Sequence, residues 1–305
     1  MNIRFKAHLG VALCSLMWGA TFVLVHDALA DCSVFVFLAV RFTLAAILLA
    51  PVYWADLRRM TAAEFRAGLE IGIFMFGGYA FQTAGLAETT PSKAAFITGF
   101  SVVLVPVFMA LFWRARIGGW AWTGVGASIA GLYYLTVPGS GLTDLNRGDL
   151  LVLACAVLYA FQIIYIGRYS PRYSMGALSF VQVAATAGFS VAALPLLAAT
   201  GWESPRLHMT FSVVSAILFT AVFTTAIAYP LLVWSQRHAS ATHTALILSS
   251  EPVFAAVTSF IAIHERVGAR ALVGAGLILL GILLVELKSP APEAGGTFRP
   301  LRTEK

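Results

Sequence analysis

Glu251 is a carboxylic acid in the middle of an apolar run, Thr244–Ala262 (TALILSSEPVFAAVTSFIA), with Pro252 directly after it. At about 1.5 Å per residue such a run crosses a bilayer core of roughly 30 Å. A carboxylate at that depth costs about 2.5–3.5 kcal/mol on insertion scales, so its presence needs a reason. Pro252 removes one backbone hydrogen bond and predicts a kink. Two uses of Glu251 are open: a polar group on a transport pathway, or a carboxylate that caps backbone groups freed by the proline. Arg41, inside another apolar run, raises the same question. It can snorkel outward, pair with Glu251, or hold a substrate carboxylate.

Uncharged groups are spaced to join them. Trp18, Thr21 and Phe22 share one helix face, as do Tyr79 and Gln82, and Tyr159 and Gln162; Tyr229 stands just before Pro230. Mid-membrane glutamine and tyrosine cannot leave polar atoms in lipid without cost, so they should face a cavity or a partner helix. Amide and phenol groups among aromatic walls suit a zwitterion with a bulky side chain; the plainer reading is hydrogen bonding between helices. Phe96, Gly99 and Phe100 in one run, and His243, Leu246 and Ser250 in another, occupy matching segments, as opposing walls would. His243 could titrate near neutral pH, or is an interfacial residue near the end of its run.

Enzyme chemistry is not expected. HERVG at His264 lacks the second histidine of a zinc-protease helix, because Gly268 stands there. No GxSxG elbow occurs, and the connections are too short for a soluble catalytic domain. The expectation is no catalytic residue, no metal and no cofactor.

The elements that must position these residues are membrane helices. The 305 residues are 59% hydrophobic and 11% charged, against about 25% charged in a soluble domain. Ten runs qualify as spans: His8–His26, Val34–Trp54, Ala67–Leu86, Ala94–Trp113, Gly119–Val137, Asp149–Gly167, Met175–Ala199, Phe211–Trp234, Ala241–Ile263 and Gly268–Leu287. The first run continues to full membrane length, so no cleavable signal peptide is expected. Cys14, Cys32 and Cys155 make no disulfide framework. The net charge of +6 is not a nucleic-acid footprint, since the basic residues punctuate the ends of apolar runs. Arg4, Arg58, Arg59, Arg114, Arg116, Arg168, Arg172 and Arg237 fall on one side with the basic tail, which places both termini in the cytoplasm. The tail, residues 289–305, is rich in Pro, Gly and charge and reads as disordered.

The chain also repeats itself. Residues 79–134 align without a gap on 229–284: Tyr79 meets Tyr229, Gly124 meets Gly274, Gly131 meets Gly281, and Arg116 meets Arg266. The first spans match more weakly, with Cys14 facing Cys155 and Trp18 facing Tyr159. Glu251 breaks the symmetry, since its counterpart is Ser101, and Pro106 meets Ala256. Two halves of five spans each, residues 1–138 and 139–288, must enter the membrane from opposite sides. The predicted fold is therefore all-α, ten transmembrane helices as two inverted-topology repeats around a central substrate cavity. The glycines of spans five and ten read as packing positions.

The segments ALCSLMWGATFV, AVRFTLAAILLAP, AAFITGF, TALILSSEPVFAAV and GAGLILLGILLV resemble the EamA branch of the drug/metabolite transporter superfamily. The resemblance covers nearly all of the chain outside the tail. It implies ten spans, two inverted halves and a central cavity. Within the branch the chain is similar to YddG-type exporters, which implies export of aromatic and other neutral amino acids and related metabolites. Arg41 aligns with the arginine of the family's span-two Arg-Phe pattern, which favours a structural role. One corner departs from the family's Gly-Glu-Arg and reads His264, Glu265, Arg266.

The resulting expectation is a monomeric inner-membrane secondary transporter whose partners are a small-molecule substrate and the lipid bilayer, with no nucleic acid. It would export amino acids by alternating access; the alternative is a proton-coupled multidrug or metabolite exporter. Substrate binding falls to Trp18, Thr21, Tyr79, Gln82, Phe96, Gly99, Phe100, Tyr159, Gln162, Tyr229, His243, Leu246 and Ser250. Glu251 and Arg41 are the intramembrane charges.

Overall fold

The computed structural model describes residues 2–137, 146–255, 257 and 268–288. Among them every regular element is a helix, and the one extended pairing is an isolated bridge between Cys32 and Leu207. Helices α1 (Ile3–Gly19) and α2 (Thr21–Ala28) form one run broken at Ala20. Then come α3 (Val34–Val52), the short α4 (Trp54–Arg58) and α5 (Ala62–Leu86). Helices α6 (Pro91–Gly99) and α7 (Ser101–Trp113) are again one run, broken at Phe100. They are followed by α8 (Gly119–Thr136), α9 (Arg147–Tyr169) and α10 (Met175–Ala199). Helix α11 (Phe211–Ala221) passes through a π turn, Val222–Ile227, into α12 (Ala228–Gln236). Helix α13 (Ala241–Leu248) ends in a turn at Ser249 and Ser250 before helix resumes at residues 251–255; α14 (Ala269–Lys288) closes the described chain.

Among the described residues six runs are long and apolar enough to cross a membrane: Ile3–Ala28, Val34–Val52, Lys93–Trp113, Arg147–Tyr169, Met175–Ala199 and Phe211–Gln236. The other four expected runs also contain helix. Helix α5 carries Glu64, Arg66, Glu70 and Gln82, α8 is rich in glycine and hydroxyl residues, α13 is interrupted at Ser249, and Ala269–Val285 of α14 is an apolar helix. The corner His264, Glu265 and Arg266, the counterpart Ala256 and the tail 289–305 lie outside the described residues.

Local capping explains several starts. Thr61 and Glu64 form a reciprocal capping box on α5, and Asn146 and Asp149 form one on α9. The Glu203 carboxylate caps α3 from a distant loop, accepting from Val34 N (2.5 Å) and Phe35 N (3.1 Å). Helices α8 and α14 pack in opposite directions: a Cβ on Gly131 would lie 2.6 Å from Gly274 O, and one on Gly281 would lie 2.9 Å from Gly124 O. Only glycine lets the two backbones come this close.

The two ends of the bundle are tied by polar contacts. At the end carrying the N-terminus, Tyr169 Oη donates to Glu70 (2.5 Å), and Ser174 donates through Oγ to Asp56 (2.8 Å) and through N to Glu64 (2.9 Å). Arg237 donates to Ser170 O (2.7 Å) and Tyr173 O. At the opposite end, Thr89 Oγ1 donates to Asp149 (2.5 Å), which also pairs with Lys93 (3.4 Å).

Candidate functional site

Four elements are interrupted around one cavity, and the interruptions have local causes. Pro252 has no N–H, so the carbonyl of Leu248 loses its helical partner. Ser15 Oγ donates to that carbonyl (3.2 Å). Ser249 Oγ donates to Leu246 O (2.5 Å) and Ser250 Oγ to Ile247 O (2.7 Å). Hydroxyls thus satisfy the backbone at the break, as an apolar interior demands. Glu251 takes no part in this, and among the described residues nothing hydrogen-bonds its carboxylate. The break falls at Ser249 and Ser250, just before Pro252 rather than at it.

The π turn serves the second charge. Arg41 is 4% exposed, so it does not snorkel. Its Nε donates to Thr225 Oγ1 (3.1 Å), and its Nη2 donates to Thr224 Oγ1 (2.9 Å) and Tyr79 Oη (3.2 Å). The guanidinium lies 4.6 Å from the Tyr79 ring centroid and 5.0 Å from that of Phe42. No ion pair to Glu251 or another acid forms at Arg41 among the described residues. Trp18 Nε1 donates to Thr224 O (2.9 Å), which ties α1 to the same turn.

Aromatic and amide groups complete the wall. Tyr229 Oη donates to Tyr79 Oη (3.0 Å), so the two tyrosines that match in the repeat touch each other. Tyr159 meets Tyr79 edge-on (5.5 Å between centroids) and donates to Gln82 Oε1 (3.1 Å). Gln82 Nε2 donates to Thr98 Oγ1 (3.3 Å). Gln162 donates to the fully buried Gln182 (3.4 Å).

Trp18, Thr21, Tyr79, Gln82, Gly99, Tyr159, Gln162 and Tyr229 all line this cavity, and so do Arg41 and Glu251. The space, including the part open to solvent, is about 910 Å³, within the usual size of ligand clefts. Helix α5 contributes only from Tyr79 onward and the α1–α2 run only from Trp18 to Val25. The cavity therefore extends from mid-bundle toward the end opposite the N-terminus.

Five of the expected residues lie elsewhere. Phe96 and Leu246 are buried in the core, and Phe96 packs edge-on against Phe100. Ser250 is spent on Ile247 O and Ser15. His243 stacks on His8 (5.9 Å) at the N-terminal end. Face spacing alone does not locate these residues, because the break at Phe100 and the turn at Ser249 rotate the helix on either side.

The sequence reading missed Thr224 and Thr225. No periodic signal marks them; only Pro230, which frees the carbonyl of Ala226, hints at an irregular turn there. Ser101 also lines the cavity. The lining includes both members of four pairs matched by sequence: Tyr79 with Tyr229, Gly99 with Ser249, Ser101 with Glu251, and Trp18 with Tyr159.

The profile of the EamA-like transporter family matches residues 5–137 and 146–287. An uncharacterized transporter of Archaeoglobus fulgidus is 34% identical over 285 residues, covering 93% of this chain and 87% of its own. The uncharacterized transporter YvbV of Bacillus subtilis is 25% identical, covering 95% of each chain. A crystal structure 18% identical in sequence superposes with a TM-score of 0.77, covering 92% of this chain and 96% of the other, and so shares the fold.

Proposed function

Because this chain belongs to the EamA-like transporter family, and is a multi-pass membrane transporter rather than an enzyme, we propose that it exports amino acids, aromatic and other neutral ones, across the cytoplasmic membrane. One observation carries the reading: a single cavity combines aromatic faces, two amides and both intramembrane charges. Aromatic faces supply contact area for a bulky side chain, and a few polar groups fix orientation.

We read the architecture as ten spans in two inverted repeats, residues 1–138 and 139–288, with both termini cytoplasmic and the unit complete in one chain. The antiparallel crossing of α8 and α14 and the Tyr79–Tyr229 hydrogen bond support this reading, since an approximate two-fold axis brings equivalent positions together. With that orientation the cavity faces outward and the polar ties around Ser174, Tyr169 and Arg237 close the cytoplasmic end. Alternating access would break those ties and close the cavity at the opposite end.

The competing reading, proton-driven export of drugs or metabolites, draws on the Glu251 carboxylate, which has no hydrogen-bond partner among the described residues. Uptake of labelled phenylalanine, tryptophan, threonine and methionine into liposomes holding the purified protein separates the two, with and without a proton gradient. Saturable amino-acid flux is the expected result. Flux of a lipophilic cation alone, driven by protons, would replace this reading with the other.

A further inference from the structure

We infer that Arg41 and Glu251 are the two poles that select a zwitterion: the guanidinium holds the substrate carboxylate and the Glu251 carboxylate faces its ammonium group. The inference rests on the amino-acid reading and assigns the residues that would enforce it.

The case for Arg41 is its unfinished set of contacts. A guanidinium carries five N–H donors in a fixed fork. Three are used, by Thr225, Thr224 and Tyr79, and all three acceptors are neutral hydroxyls. Among the described residues no acceptor takes the two donors of Nη1, yet Nη1 is not sealed away from the cavity that Arg41 lines. The charge thus stays uncompensated while the side chain is held rigidly, with aromatic rings of Tyr79 and Phe42 against it. A purely structural arginine is normally completed by a carboxylate or by backbone carbonyls. A planar donor edge fixed by neighbours suits a carboxylate.

Among the described residues Glu251 is unfinished in the complementary way. The carbonyls freed at its helix break are met by Ser15, Ser249 and Ser250, so backbone capping does not use the carboxylate. Its counterpart in the other half, Ser101, lines the same cavity without charge. The two charges do not pair with each other, although they share one cavity. A ligand carrying both opposite charges would satisfy both residues; a cation would leave Arg41 unmatched and an anion would leave Glu251 unmatched.

The test measures binding to the purified full-length protein in nanodiscs by titration calorimetry. The ligands are phenylalanine, phenethylamine (no carboxylate) and 3-phenylpropionate (no ammonium). Wild-type protein should bind phenylalanine about ten- to hundredfold more tightly than either truncated ligand. Arg41→Gln should weaken phenylalanine by a similar factor and lose the discrimination against phenethylamine. Glu251→Gln should lose the discrimination against 3-phenylpropionate. A merely structural role would weaken all three ligands alike. Equal wild-type affinity for the three ligands, or discrimination that survives both substitutions, would overturn the inference. The wild-type series decides even where Arg41→Gln does not fold. Saturable phenylalanine uptake without discrimination removes this inference and leaves the amino-acid reading standing. Absence of amino-acid uptake beside cation uptake removes both.

Discussion

Trp18 and Gln162 line the cavity, and the proposed substrate role of each can be tested apart from its role in the fold. Trp18 spends its N–H on Thr224 O and leaves its ring on the cavity; Gln162 donates to Gln182 and lines the same cavity. Replacing either by alanine removes cavity wall and one hydrogen bond worth about 0.5–1.5 kcal/mol. Trp18→Ala and Gln162→Ala should each lower amino-acid flux at least roughly tenfold, a loss of about 1.4 kcal/mol in transition-state or ligand stabilisation. Size-exclusion chromatography in detergent should still show a single folded species. Normal flux by both variants would remove them from the site. The tyrosines are less separable, because Tyr79 Oη accepts from both Arg41 and Tyr229 and its loss would also loosen the charge.

Helix crossings and helix starts carry the next scale of prediction. Gly131→Ala would set a methyl 2.6 Å from the Gly274 carbonyl and from Ile278, so α8 and α14 must separate. Overpacking of this kind costs about 1–3 kcal/mol. Gly126, on the same helix, has nothing within 4 Å of an added Cβ, and Gly126→Ala should be neutral or gain up to about 1 kcal/mol in helix propensity. Thermal unfolding of the two variants in one detergent should place Gly131→Ala below wild type and Gly126→Ala at or above it; similar losses in both would show that this crossing is not tight.

Glu64 tests a helix start that also joins two elements. Its carboxylate accepts from Thr61 N (2.9 Å) and from Ser174 N (2.9 Å) in the turn before α10. The backbone N–H groups of Thr61 and Ser174 hold its pKa below the ordinary carboxylate range. A depressed folded pKa stabilises the folded state above the unfolded pKa of about 4.3, and the effect fades as pH falls through the folded value. Glu64→Ala should therefore lower the melting temperature by the equivalent of about 1 kcal/mol at pH 7, with the gap narrowing as pH drops below roughly 4. A gap that stays constant with pH would mean that packing, not the carboxylate, is responsible.

For the whole molecule, the decisive property is which way it lies. The proposed orientation puts the Ser174, Tyr169 and Arg237 ties in the cytoplasm and the cavity mouth outside. Reporter fusions after Lys288 should be active in the cytoplasm and inactive in the periplasm, while a reporter in the 29–33 turn should behave oppositely. The reverse pattern would turn the cavity inward and make the tied end the outer gate. The same orientation predicts that an impermeant thiol reagent added from outside has access to a cysteine placed at Val25 or Leu86, both of which line the cavity, and that saturating phenylalanine slows the labelling.

Hydrophobic length and basic-residue placement alone determined that the chain is a bundle of membrane helices, because the bilayer imposes a length and a charge bias that any sequence must record. The aromatic and amide face formed by Trp18, Tyr79, Gln82, Tyr159 and Gln162 was legible from helical spacing, and all five residues line the cavity. Tertiary structure alone decided where each face points. Helical periodicity predicts a shared face only while the helix continues, and here four runs break or widen at Ala20, Phe100, Val222–Ile227 and Ser249. Those breaks turn Phe96, Leu246 and Ser250 into the packing and bring Thr224 and Thr225, far away in the chain, onto Arg41. Whether Arg41 snorkels, pairs or waits for a ligand depends on which acceptors surround its guanidinium, and no local pattern in the chain encodes contacts between helices so distant in sequence.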